Sequence, residues 1–172
     1  QFTDITTEVG LDRNNRRFSL AAAWEDFDND GDPDLYVAND YGRNNLYRND
    51  GDAGFVDVAA DAGVEDISSG MSVSWADYNR DGLMDVYVGN MFSAAGNRIT
   101  YQRKFERDRQ AAGALADVQR MARGNSLFEN AGRERAFVDR SEEVGVAMGR
   151  WAWSSVFADL NNDGWEDLLV AN

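Results

Sequence analysis

The sequence predicts an all-β chain of repeated four-stranded antiparallel units, interrupted by one helical insertion at about 98–123. Three observations predict it. The same short motifs recur in the same order, their strands are β-branched or aromatic and bounded by Gly, Asn and Asp, and the copies keep a fixed interval.

The first motif is Phe2-Thr3-Asp4-Ile5 followed by Val9-Gly10-Leu11. It returns as Phe55-Val56-Asp57-Val58 with Ala62-Gly63-Val64, and as Phe137-Val138-Asp139 with Val144-Gly145-Val146. The second spans residues 24–39 and returns at 75–90 and 157–172. The third, Asn45-Leu46-Tyr47-Arg48-Asn49, returns as Ser126-Leu127-Phe128-Glu129-Asn130. Asp26 and Asp77 are 51 residues apart; Asp77 and Asp159 are 82 apart, one period plus 31. The excess falls between Asn90 and Asn125, where the insertion replaces a short loop.

Within the first full copy, residues 20–26 read as a strand, 28–34 as a tight loop and 35–38 as a second strand. Residues 45–48 read as a third strand, 49–54 as a turn and 55–58 as a fourth strand. Four antiparallel strands per period of this length mark a β-propeller blade, though period and strand count also fit a four-stranded solenoid rung. The expected division is a blade end at 1–18, a blade at 19–66, a blade at 67–148 carrying the insertion, and a partial blade at 149–172. Residues 2–5 are then a lone fourth strand.

Residues 99–123 lack Pro and are rich in Ala, Arg, Gln and Leu, which favour helix. Phe105, Ala112, Leu115 and Ala122 fall roughly on one face. Asn97 or Thr100 is expected to cap the start, Gly124 the end, and Gly113 to split the helix. Residues 98–123 carry seven Arg/Lys against three Asp/Glu, while the chain as a whole has a net charge of −14. A basic helix beside an acidic body is expected to pack on it by charge and a thin apolar stripe. A helix that docks a partner is the alternative.

The acidic balance argues against nucleic acid and against an anionic membrane surface as partners. No apolar run approaches the ~18 residues of a spanning helix, and no signal peptide is visible. The chain opens at Gln1 rather than Met, so its N-terminus is expected to be processed or missing. There is no Cys and no His. Thiolate zinc sites, thiol nucleophiles and imidazole bases are therefore excluded. Oxygen ligands remain, and these select hard cations such as Ca²⁺ and Mg²⁺.

Three gapless loops supply such ligands. Asp26, Asp28, Asp30 and Asp34 occupy positions 1, 3, 5 and 9 of the first, with Gly31 at 6. The second places Asp77, Asn79, Asp81 and Asp85 there with Gly82, and the third Asp159, Asn161, Asp163 and Asp167 with Gly164. Oxygens at 1, 3 and 5 turn inward as the chain curls, Gly at 6 takes a shape other residues resist, and position 7 offers a carbonyl. The position-7 residues, Asp32, Leu83 and Trp165, share no side-chain chemistry, as expected if only the carbonyl serves. Together these give the ~6–8 oxygens that Ca²⁺ takes. Clustered carboxylates without a cation would each resist ionisation. The first loop carries five Asp and is expected to bind most tightly. An EF-hand is excluded, because position 12 is Val37, Val88 or Val170 instead of Glu.

The D-x-[DN]-x-D-G-x-x-D-[LV] loop between strands resembles the FG-GAP repeat, also described as the VCBS repeat, over nearly the whole chain outside the insertion. Ser74-Trp75-Ala76-Asp77-Tyr78, Asn125-Ser126-Leu127-Phe128 and Gly149-Arg150-Trp151-Ala152-Trp153-Ser154-Ser155 look like the bacterial type often linked to an ASPIC/UnbV domain. The resemblance implies a β-propeller like that of integrin α-subunits, with calcium between the first two strands of a blade. Propellers generally need about four blades or more, so a fragment of a longer chain is expected, with an open array or filament built by strand addition as the alternative.

The function expected is a calcium-binding extracellular, periplasmic or cell-surface scaffold for adhesion or interaction, with an unknown protein or glycan ligand and self-association through blade edges. A lectin-like module is the alternative, with Trp151 or Trp153 stacking on a sugar, although core packing between blades also accounts for both rings. A carboxylate glycosidase is weaker: Glu8, Glu142 and Glu143 form no constellation once the loop aspartates are assigned to metal.

Overall fold

The computed structural model describes residues 2–102, 112–132 and 136–172. β1 (Phe18–Glu25), β2 (Asp34–Asp40), β4 (Asn45–Asn49) and β5 (Phe55–Asp57) form one antiparallel four-stranded blade in that order. β7 (Gly70–Ala76), β8 (Asp85–Asn90), β9 (Ser126–Glu129) and β10 (Val138–Asp139) form the second. β11 (Ser154–Ala158) and β12 (Asp167–Ala171) make an antiparallel hairpin that repeats the first two strands of a blade. The registers agree: Trp24 pairs with Leu35, Trp75 with Val86 and Phe157 with Leu168. β3 (Gly42–Arg43) pairs with β6 (Ile67–Ser68) and ties the blade-linking segment to the first blade.

The blades stack face to face. Tyr36 of β2 meets Trp75 of β7 edge-on, with ring centroids 6.1 Å apart. Tyr87 of β8 meets Phe157 of β11 in the same way, also at 6.1 Å. The first junction holds the core: Tyr36, Ala38, Leu46, Val64, Val86, Val88, Phe128 and Phe137 are buried, with Phe27, Val73 and Trp75 against them. The second junction is partly polar. Ser74 Oγ donates to Ser155 O at 2.7 Å, and a Cβ on Gly89 would collide with Ser72 Oγ and with Ala152 O.

Each Gly of the first motif is left-handed: Gly10 (φ 86°), Gly63 (φ 74°) and Gly145 (φ 81°). The same turn precedes each, with Val9, Ala62 and Val144 donating to Ile5 O, Val58 O and Arg140 O. In the last two copies that turn follows the fourth strand; α1 (Ala59–Ala62) is the turn in the first blade. Residues 2–5, expected as a lone fourth strand, contain no strand. Among the described residues no third strand lies beside them to accept their backbone hydrogen bonds, and Phe2 is fully exposed.

The insertion differs in detail from expectation. α2 (Ala94–Thr100) starts before residue 98, because Ser93 Oγ accepts from Gly96 N at 3.0 Å and caps it. Asn97 and Thr100 are not caps. Asn97 Nδ2 donates to Ala122 O at 2.7 Å and joins α2 to α3 (Ala112–Arg123), and Thr100 Oγ1 donates to Gly96 O. α3 includes Gly113 as its second described residue, the residues ahead of Ala112 lying outside the described ones, and ends at Gly124 (φ 107°). Phe105 lies outside the described residues; Leu115 is half-buried and Ala122 buried. Charge does hold the helix to the body. Arg120 pairs with the buried Asp66 at 2.6 Å and Arg123 with Asp139 at 2.6 Å.

Candidate metal centre

The three loops join β1 to β2, β7 to β8 and β11 to β12, so each lies at the same end of its blade. One hydrogen-bond frame builds all three. The position-1 carboxylate accepts from the N–H groups of positions 5 and 6: Asp26 from Asp30 and Gly31, Asp77 from Asp81 and Gly82, Asp159 from Asp163 and Gly164, all at 2.7–3.0 Å. The position-5 carboxylate accepts from the position-7 N–H, which fixes Asp32, Leu83 and Trp165 at 2.8–3.0 Å. The position-9 carboxylate accepts from the position-2 N–H: Asp34 from Phe27, Asp85 from Tyr78, Asp167 from Leu160.

Two backbone positions make the curl possible. Gly31, Gly82 and Gly164 have φ between 84° and 96°, as the sequence requires of position 6. Position 4 is also left-handed: Asn29 (57°), Arg80 (61°) and Asn162 (64°). Sequence reasoning passed over position 4, although Asn in two of three copies was the available signal.

In the first loop, Asp26, Asp28 and Asp34 each bring a carboxylate oxygen within 4.8 Å of the others. Asp30 and Asp32 stand outside that trio. In the other loops Asn79 and Asn161 replace the position-3 carboxylate, and the trio at 26, 28 and 34 is the one such group among the described residues. Asn79 and Asn161 each keep their amide on the position-5 side chain, with Nδ2 donating to Asp81 and Asp163 at 3.0 Å.

Position 9 is the buried anchor. Asp34 and Asp85 have no exposed surface. Desolvation pushes the Asp34 carboxyl up to about 6 and the Asp85 carboxyl up to about 7, against the N–H bonds that pull them down. Their second oxygens accept from Asn49 N at 2.8 Å and Asn130 N at 2.7 Å. The closing Asn of the third motif therefore pins the third strand to the metal loop, a role the repeat showed but spacing alone did not explain. Asn130 also donates to Phe27 O at 2.8 Å and so joins the second blade to the first loop. Asp167, in the two-stranded hairpin, lacks this third-strand partner.

This arrangement suits a hard cation. All donors are oxygens, converging carboxylates come from positions 1, 3 and 9 in the first loop, and two buried carboxylates bear an electrostatic penalty that a bound cation would relieve. A cavity of about 410 Å³, lined among others by Phe27, Asp28, Asp30, Val58 and Phe137, opens beside the first loop. Among the described residues, no helix is long and apolar enough to cross a membrane.

Known proteins share stretches of this sequence. Cartilage acidic protein 1 of Xenopus tropicalis is 35% identical over 89 residues, 51% of this chain and 13% of that protein. Cartilage acidic protein 1 of Homo sapiens is 48% identical over 58 residues, 33% of this chain and 9% of its own, and that of Mus musculus is 47% identical over 58 residues. The matched stretches thus span no more than 13% of these relatives' length. The family model described as FG-GAP-like repeat matches residues 26–88 and 114–170, which include all three loops and both sides of the insertion, and the chain belongs to that family.

Proposed function

We propose that this chain is a calcium-stabilised repeat scaffold that works outside the cytoplasm as an adhesion or interaction module. The observation that carries the reading is the convergence of Asp26, Asp28 and Asp34 in the first loop, supported by a hydrogen-bond frame that recurs in all three loops at matched places of stacked blades. Asp26, Asp28, Asp30 and Asp34 would hold the first ion, Asp77, Asn79, Asp81 and Asp85 the second, and Asp159, Asn161, Asp163 and Asp167 the third. The carbonyls of Asp32, Leu83 and Trp165 would complete the three sets. The ion supplies positive charge that offsets the clustered and buried carboxylates; it ties the first two strands of each blade together at one end.

The extracellular assignment draws on the relatives, which are named for cartilage, and on the millimolar calcium found outside cells, which suits aspartate loops of modest affinity. The non-enzymatic reading draws on the placement of the remaining carboxylates. Glu8 and Glu142 are exposed, and Glu143 is paired with Arg140. Calorimetric titration of calcium into chelator-stripped chain tests the proposal, with magnesium as the control. Three calcium equivalents and a poor magnesium response are expected; absence of calcium uptake would overturn it.

A second reading has its own observation. Trp151 and Trp153 are 52% and 57% exposed and lie 6.2 Å apart, a surface on which sugar rings could stack. Glycan-array binding lost in Trp151→Ala and Trp153→Ala chains would favour a lectin-like module, and silence of the parent chain would exclude it.

A further inference from the structure

Position 4 of each loop is exposed, is not a metal-ligand position, and is held in a left-handed conformation. In the first two loops its side chain leaves its own loop. Asn29 Nδ2 of the first loop donates to Gly82 O of the second at 3.4 Å. The Arg80 guanidinium of the second loop lies 4.1 Å from the centroid of the Trp165 ring in the third. A Cβ on Gly164 would come within 3.0 Å of Arg80 Nη2, so Gly164 also leaves room for the crossing. Both bridges run from one blade to the next, and both land at position 6 or 7, where the chain presents the carbonyl of the ligand set. Asn162 holds the same left-handed conformation in the third loop.

We propose that position 4 is a positioning residue that couples each ion loop to the loop of the following blade. This inference rests on the calcium reading. Position 4 sits between the ligands at 3 and 5, and its left-handed backbone, tolerated by Asn and unfavourable for Arg, is steadier when its neighbours are fixed. An ion gripped by 3 and 5 holds it. An occupied loop therefore offers a fixed side chain to the next loop and orders the segment carrying its position-7 carbonyl. An empty loop releases that side chain. The coupling is bounded by the contact that transmits it. An exposed hydrogen bond or cation–π contact supports a shift of about two- to five-fold in downstream affinity. Simple charge repulsion from Arg80, or between ions, has the opposite sign, so the direction of the shift is diagnostic.

The test is a calcium titration of the ¹⁵N-labelled chain, stripped by chelator and followed by NMR. The amides of Gly82 and Gly164, each bonded to its own position-1 carboxylate, report the midpoints of the second and third loops separately. Asp26→Asn disables the first loop and Asp77→Asn the second. In the parent chain, each is expected to raise the midpoint of the following loop about two- to five-fold. Asn29→Gly keeps the left-handed backbone and removes the first bridge; Trp165→Leu removes the second while leaving the Arg80 charge and the position-7 carbonyl. In those backgrounds the upstream change is expected to shift nothing. Shifts that persist without the bridges, that run toward tighter binding, or that are absent from a parent chain whose three loops all fill, would overturn the coupling alone. A parent chain in which no loop fills would overturn the calcium reading with it.

Discussion

Raising the pH of the calcium-free chain from about 4 to 7 should destabilise it, against the usual behaviour of carboxylates engaged in hydrogen bonds. The cause is Asp34 and Asp85, buried with their carboxyls raised from 3.8 to about 6 and about 7, chiefly by desolvation. Because the folded values exceed the unfolded one, the folded chain holds more protons across that window, and unfolding free energy falls as pH rises through it. At 1.36 kcal/mol per pH unit, the loss is up to about 3 kcal/mol from Asp34 and about 4 kcal/mol from Asp85. Both are upper limits, since local opening lets water reach an ionised carboxylate. Groups of opposite sign act lower. Glu129 is depressed by its bonds from Tyr78 and Arg140. Asp139 is depressed by Ser141 and Arg123, although burial opposes them. Their contribution is lost as pH falls through those depressed values. Stability of the stripped chain should therefore peak near pH 4–5, fall to about pH 7 and then level. Saturating calcium should remove the fall, because the ion binds the deprotonated carboxylates. Urea unfolding followed by tryptophan fluorescence at stepped pH measures both profiles. The Asp85→Asn chain, calcium-free, should lose the larger share of the slope. A flat or rising profile in the stripped parent chain between pH 5 and 7 would refute the argument.

Chelation is the simplest perturbation. Three loops held at 100 times their Kd each add about 2.7 kcal/mol, and at ~2–4 °C per kcal/mol for a chain of this size the thermal midpoint should drop by roughly 15–30 °C, read by circular dichroism. Arg120→Met removes the partner of Asp66, whose side chain has no exposed surface. A loss of about 3–5 kcal/mol is expected in denaturant unfolding, partly restored by Asp66→Asn in the same chain. Gly89→Ala drives a methyl group into Ser72 and the Ala152 carbonyl. A loss of about 1–3 kcal/mol is expected, with the Tyr87–Phe157 contact loosened in near-ultraviolet circular dichroism.

The fold was legible where one period repeats a physical necessity. Strand limits follow from the alternation of β-branched and aromatic residues between Gly, Asn and Asp, and β2, β4 and β5 lie within two residues of expectation at each end. The loop positions were legible because Asp and Gly at fixed offsets leave few backbone paths. What periodicity could not supply is whatever depends on a neighbour. Residues 2–5 carry strand chemistry but have no adjacent strand. Ser93 caps α2 because the chain leaves β8 at Asn90 through Met91 and Phe92, where Phe92 N donates to Arg150 O of the next repeat. That contact is long-range, and composition at 97–100 gave no sign of it. Arg120 was legible as part of a basic helix. Its pairing with Asp66 and Ser126 was not, because those residues come from separate segments.

The exposed apolar residues at the two ends of the stack are explained by the repeat before any ligand is invoked. Trp24 holds the place of Trp75, which sits edge-on to Tyr36; yet Trp24 is 54% exposed. Leu169 holds the place of Tyr36 and Tyr87, both buried against the following blade; yet Leu169 is 51% exposed. The first face is therefore of the kind that receives a position-11 side chain, and the last of the kind that supplies one. Their apolarity reflects blade-to-blade stacking chemistry, which repeat architectures require of every internal face. Large exposed apolar patches ordinarily point to interaction sites, and at Trp24 and Leu169 the stacking of one blade on another offers a second reason for the apolar character. The interaction-site reading retains force for Trp151 and Trp153: Trp151 bridges to Met91 at the far end from the metal loops, and Trp153 accompanies it ahead of β11, outside the paired first two strands. The aromatic pair, and not the broader apolar ends, is where a ligand search on this chain should begin.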